Sequence, residues 1–187
     1  MRDDIFSDYQ KRLCDCLSSF DWSPVHKLAK DIRLAWEEGR HVFLCGNGGS
    51  AANAIHIAND FLYLMAKNKK KGIKVTALTA NQSILTCLGN DIGYENIFSF
   101  QLETLGEEGD VLVVLSGSGN SPNILNAVRG AKGKKIKTYG ILGFNGGKCL
   151  ELVDVPIHFA VNDMQISEDL QLITGHMLMQ WLINRGS

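Results

Sequence analysis

His56 and Asp60 stand four residues apart in CGNGGSAANAIHIANDF, the stretch from Cys45 to Phe61. On a helix that spacing puts both side chains on one face. An imidazole and a carboxylate so placed can hold a divalent metal or exchange protons as base and acid. The same stretch opens on Gly46-Asn47-Gly48-Gly49-Ser50, and a second turn of this kind is Ser116-Gly117-Ser118-Gly119-Asn120-Ser121. Glycines let the backbone turn sharply and expose its N–H groups. A helix that follows adds unpaired donors and a partial positive charge, and serine hydroxyls add donors without charge. Both turns therefore suit an anion, and the first leads straight into the helix that carries His56 and Asp60.

The elements around these residues define the fold class. HVFLCG, IKVTALTA, DVLVVLSGSGNS, IKTYGILGF and DVPIHFAV read as strands, and helical patterns separate them. That alternation predicts an α/β fold with a parallel sheet and helices on both faces. Both turns then lie at carboxyl ends of strands, where such sheets bind ligands. Helices are expected over DYQKRLCDCLSSF, over SPVHKLAKDIRLAWEEG with Ser23 as N-cap and Pro24 behind it, and from about Ser50 to Leu64. A last helix runs over SEDLQLITGHMLMQWLINRG. The 187 residues suit a single domain, with an N-terminal helical extension over 1–40 and an α/β core over 41–187.

Two nucleotide readings fail on their own requirements. A dinucleotide site needs an acid at the end of the next strand, and that strand ends LTANQS. A P-loop needs Gly-Lys-Ser/Thr, and neither turn contains lysine. A small phosphorylated ligand is the remaining reading. The net charge of -1 gives no general attraction for nucleic acid or an anionic membrane. No apolar run reaches the length of a spanning helix, and the charged N-terminus lacks the apolar centre of a signal peptide, so a cytoplasmic location is expected. The five scattered cysteines form neither a disulfide framework nor a zinc knuckle. His26, His41 and His158 have no partner in the pattern and read as structural.

GNGGSAANAIH together with LSGSGNSPNILNA resembles the sugar isomerase (SIS) family, in particular its phosphoheptose isomerase branch. The likeness runs on through LGNDIGYENIFS, GFNGGK and the C-terminal helix with His176. It implies a three-layer fold with a five-stranded parallel sheet, and a homotetramer with active sites at subunit interfaces. It implies that Ser116, Ser118 and Ser121 hold a sugar phosphate, and that Asn47, Gly48, Ser50, Asn53, Asp91 and Glu168 line the sugar. It implies Asp60 and His176 as acid and base, and His56, Asp60, Glu168 and His176 as ligands of a divalent metal, with zinc expected. The implied reaction is aldose–ketose isomerisation of sedoheptulose 7-phosphate to D-glycero-D-manno-heptose 7-phosphate for surface polysaccharide. The alternatives are a sugar-phosphate-binding regulatory or replication-initiator-associated protein without isomerase activity and an isomerase of another phosphosugar.

The chain departs from the family pattern around the sugar rather than around the fold. Asp60 replaces Glu, Glu168 replaces Gln, Gly117 replaces Thr, Leu64 replaces Arg, and Gln165-Ile166 replaces an Asp-Arg pair. Glu168 and His176 are eight residues apart, about 12 Å along a regular helix. Either the helix is loosened at Glu168, or the two residues serve different sites.

Overall fold

The computed structural model describes residues 4–69 and 71–185. Helices α1 (Ile5–Ser19) and α2 (Ser23–Glu38) precede β1 (His41–Gly46). Then come α3 (Gly49–Asn59), a π-helical turn (Asp60–Leu64), α4 (Met65–Lys69) and β2 (Lys74–Ala77). Helix α5 (Gln82–Asp91), a 3₁₀ turn (Tyr94–Asn96) and α6 (Ser99–Leu105) lead to β3 (Val111–Ser116). The chain ends through α7 (Pro122–Gly133), β4 (Lys137–Leu142), α8 (Cys149–Leu152), β5 (Val155–His158) and α9 (Met164–Arg185).

The five strands are all parallel, in the order β2-β1-β3-β4-β5. All six residues of β3 are buried, as a central strand covered on both faces requires. Alternate residues serve opposite layers. Val42 and Leu44 of β1 pack with Val113 and Leu115 against α2, α3 and α9. Phe43 and Cys45 pack with Leu112 and Val114 against α5, α6 and α7. The Tyr139 hydroxyl, on a fully buried side chain, donates to Asp31 and ties β4 to α2.

The α/β class, the parallel sheet and the helices on both faces are as expected, and several boundaries differ. Trp22, not Ser23, occupies the N-cap of α2; Asp21 accepts from the Ser23 backbone N–H instead, at 3.0 Å. The helix expected over Ser50–Leu64 stops being α-helical at Asn59 and widens into the π turn. Helix α9 begins at Met164, because Asp163 Oδ1 accepts from the Ile166 N–H at 3.1 Å.

β1 and β3 are neighbours, yet β1 feeds α3 on one face and β3 feeds α7 on the other. The strand order reverses between them, and Gly46 pairs with Leu115 there. The two Ser/Gly turns thus lie side by side at the crevice where doubly wound sheets bind ligands.

Candidate active site

Between the turns lies an open cavity of about 250 Å³, walled by residues 47–50 of the first, 115–118 and 121 of the second, and Met164 and Glu168 of α9. In the second turn the hydroxyl oxygens fix the backbone. Gly119 N–H donates to Ser116 Oγ at 3.0 Å, and Asn120 N–H donates to Ser118 Oγ at 3.3 Å. These bonds use the oxygens only as acceptors. The hydroxyl protons of Ser116, Ser118 and Ser121 have no acceptor among the described residues, so they are free to donate into the cavity. Gly119, at φ +64°, allows the turn to press on the 143–147 loop, where a Cβ would stand 1.9 Å from the Gly146 carbonyl. Gly117 faces Met164, whose sulfur would lie 2.6 Å from a Cβ at that position. The thioether fills the place a larger residue at 117 would need.

The first turn is held by an amide pair. Asn47 Nδ2 donates to Asn123 Oδ1 at 2.9 Å, and Asn123 Nδ2 donates back at 2.8 Å. The Tyr94 hydroxyl also donates to Asn47 Oδ1, at 3.1 Å. Asn123 is buried at the start of α7, so this pair locks the first turn to the helix after the second. Sequence reasoning passed over Asn123 and Tyr94, because their roles come from pairing across elements that no local pattern records.

The second group of chemical residues lies along the seam between α3 and α9. Gly175 lets the helices approach closely, since a Cβ there would stand 2.6 Å from Ile57. His56 Nε2 and His176 Nε2 come within 3.0 Å. Asp60 Oδ2 lies 3.6 Å from the first and 3.8 Å from the second. The π turn begins at Asp60, and such wide turns often mark functional positions. Tetrahedral ligands about 2.05 Å from a zinc ion stand about 3.3 Å from one another. The three donor atoms fit that geometry, and two imidazoles with one carboxylate match a zinc site that keeps a position open.

Not every expected residue joins one of these groups. Glu168 is outside the His56–Asp60–His176 trio and lines the cavity instead. Helix α9 is regular from Met164 on, so eight residues carry Glu168 about 12 Å from His176. Asn53 does not line the cavity; its Nδ2 donates to the Glu168 carbonyl and to Gln171 Oε1 within the seam. Asp91 is also absent from the cavity of its own chain and sits exposed at the end of α5, accepting from Asn90 at 2.8 Å. His41 stacks on Phe43, and His158 Nε2 lies 3.0 Å from the Phe144 carbonyl oxygen, as structural histidines. Burial raises Cys149 to about 11 and pushes Cys45 higher still, so neither thiol is poised as a nucleophile.

Residues 6–143 match the SIS domain family. The phosphoheptose isomerase of Burkholderia pseudomallei (strain K96243) is 44% identical over 154 residues, which cover 82% of this chain and 78% of that one. The phosphoheptose isomerase of Synechocystis sp. (strain ATCC 27184 / PCC 6803 / Kazusa) is 37% identical over 179 residues, covering 94% and 92%. The solved structure of phosphoheptose isomerase from Neisseria gonorrhoeae superposes with a TM-score of 0.88 at 26% identity, over 99% of this chain and 100% of that one.

Proposed function

The chain belongs to the SIS domain family, and we propose that it is a phosphoheptose isomerase, interconverting sedoheptulose 7-phosphate and D-glycero-D-manno-heptose 7-phosphate. The observation that carries this reading is the pairing, along one helix seam, of a cavity rich in neutral donors with a His–Asp–His cluster. A protein that only binds sugar phosphates needs the first and has no use for the second.

The phosphate is anchored by the hydroxyls of Ser116, Ser118 and Ser121 and by the N-terminal end of α7. Anchoring the remote end allows its binding energy to position the reacting carbons. Asn47, Gly48 and Ser50 flank the sugar chain. His56, Asp60 and His176 would hold a divalent ion, with zinc suiting the donor set, and its chemistry there would be polarisation of the substrate carbonyl. Asp60 takes the proton from C1 and returns it to C2. Its Oδ1 is free for this, since its contact is a long 3.4 Å one from Asn59. With Nε2 the atom that would face the ion, His176 would exchange a proton with the carbonyl and hydroxyl oxygens through Nδ1 as the ene-diol forms and collapses.

The imidazoles of His56 and His176 are about half exposed, and the exposed apolar residues Ile55, Leu62, Tyr63 and Met177 lie near them in the chain. That supports a homotetramer in which a second copy covers this face, and Asn53 and Asp91 then act near such an interface. Among the described residues no helix is long and apolar enough to cross a membrane. We propose a cytoplasmic enzyme supplying heptose for surface polysaccharide. The test is incubation with sedoheptulose 7-phosphate, with and without a chelator, followed by NMR. The aldose heptose phosphate is the expected product, lost on chelation and restored by zinc. Absence of any aldose product from metal-replete protein overturns the reading.

A further inference from the structure

The hydrogen bonds around the Asn47 amide decide which of its atoms can serve a ligand, and they start from backbone. Ile124 N–H, in the first turn of α7, has no earlier helical carbonyl to pair with. Ser121, at the N-cap, would ordinarily accept from it, yet makes no side-chain cap bond. Asn123 Oδ1 accepts instead, at 2.9 Å. A backbone N–H only donates, so the Asn123 atom beside it is the oxygen, and Asn123 Nδ2 is left to face Asn47. Asn123 is 1% exposed, so no solvent competes for these bonds. Asn47 must therefore set its oxygen against Asn123 Nδ2, at 2.8 Å, and its nitrogen against Asn123 Oδ1, at 2.9 Å. The Tyr94 hydroxyl takes the second lone pair of Asn47 Oδ1, at 3.1 Å. Asn47 then has no acceptor to spare. One Nδ2 proton remains, without a partner among the described residues, on a side chain that lines the cavity.

Resting on the sugar-phosphate reading above, we propose that Asn123 and Tyr94 are positioning residues that hold Asn47 as a donor-only group toward the sugar. An unbraced amide can turn its oxygen or its nitrogen to a hydroxyl and accept or donate. The braced one only donates. The ligand oxygen beside it must accept, as a carbonyl does, or a hydroxyl whose own proton goes elsewhere. Neither Asn123 nor Tyr94 lines the cavity, so each acts through Asn47.

The test is a double-mutant cycle read by calorimetry of sedoheptulose 7-phosphate binding to the full chain. Asn123→Ala is expected to weaken binding about tenfold, and no more than about threefold when Asn47→Ala is already present. Tyr94→Phe removes one hydroxyl from an exposed side chain. It is expected to weaken binding about threefold, and to change nothing in the Asn47→Ala background. Circular dichroism checks that each variant is folded; where Asn123→Ala is not, Tyr94→Phe decides. No loss in the folded variants, or the same loss with and without Asn47, overturns the proposal while leaving the isomerase reading standing. Failure of the wild type to bind the sugar overturns both.

Discussion

The serine-lined cavity and the His–Asp–His cluster both border α3 and α9 and are built on opposite plans. In the cavity the functional groups are braced by the chain itself: Asn47 by Asn123 and Tyr94, Ser116 by Gly119, and Asn120 by the Lys148 backbone N–H at 3.1 Å. In the cluster three donor atoms converge with few other commitments, and side-chain exposures of 49% for His56 and 47% for His176 leave them open. A phosphate is held by many modest donors, so rigidity of the backbone array matters more than any one group. Proton transfer or metal binding depends on a few atoms in the right place, and each is indispensable. The two regions should therefore fail in different ways when altered.

The largest effect is expected at the cluster. Asp60→Asn keeps the shape and removes the proton acceptor. It is expected to lower kcat by about 10²–10⁴-fold, with substrate affinity changed only a few-fold. Steady-state kinetics beside calorimetry separates the two, and a loss confined to KM would erase the proposed division of labour. A smaller effect is expected in the cavity. Hydrogen bonds to a charged partner contribute about 1.5–3 kcal/mol each. The double variant Ser118→Ala with Ser121→Ala is expected to raise KM by roughly 10²-fold or more, with a smaller loss in kcat because the anchor also positions the reacting carbons. Equal loss in kcat would mean that these hydroxyls serve the chemistry directly.

The smallest effect is expected where α1 is tied to the start of α9. Arg12 donates to Asp163 at 2.6 Å and the Tyr9 hydroxyl donates to Asp169 at 2.6 Å. The hydrogen bond from Arg12, with help from the Ile166 N–H, holds the Asp163 carboxyl below its ordinary value of 3.8. Its contribution to stability is thus present above that value and is lost as pH falls through the lowered one. Asp163→Asn is expected to melt no more than about 2 °C below wild type at neutral pH. The two melting curves should converge as pH drops below 3.8. A gap that persists in acid would show that the ion pair is not the cause.

Local pattern carried most of the fold. β1 spans HVFLCG as expected, and the glycines and serines of both turns stand at the strand ends where the alternation of elements put them. Where the expectation slipped, the deciding contact was tertiary or a matter of hydrogen-bond phase. The apolar spacing through Asp60–Leu64 is compatible with an α-helix, and nothing in it signals the wider π turn. The resemblance groups Glu168 with His176, whereas α9, helical from Met164, sets them about 12 Å apart along its axis. The Asn47–Asn123 pair joins residues 76 positions apart, a link invisible without the fold. Within the site, His56 and Asp60 are legible from helical spacing, and His176 from the resemblance. Met164 was missed because its role is to fill space beside another residue.

The central claim is that the serine turns hold the phosphate while Asp60 moves a proton at the other end of the sugar. Its most direct test is deuterium uptake at C1 of sedoheptulose 7-phosphate and at C2 of the aldose product in ²H₂O, followed by NMR for the zinc-loaded wild type and for Asp60→Asn. Uptake by the wild type and none by the variant, with both still binding the sugar, is the predicted result. Equal uptake by the two proteins, or none by the wild type, would contradict the account.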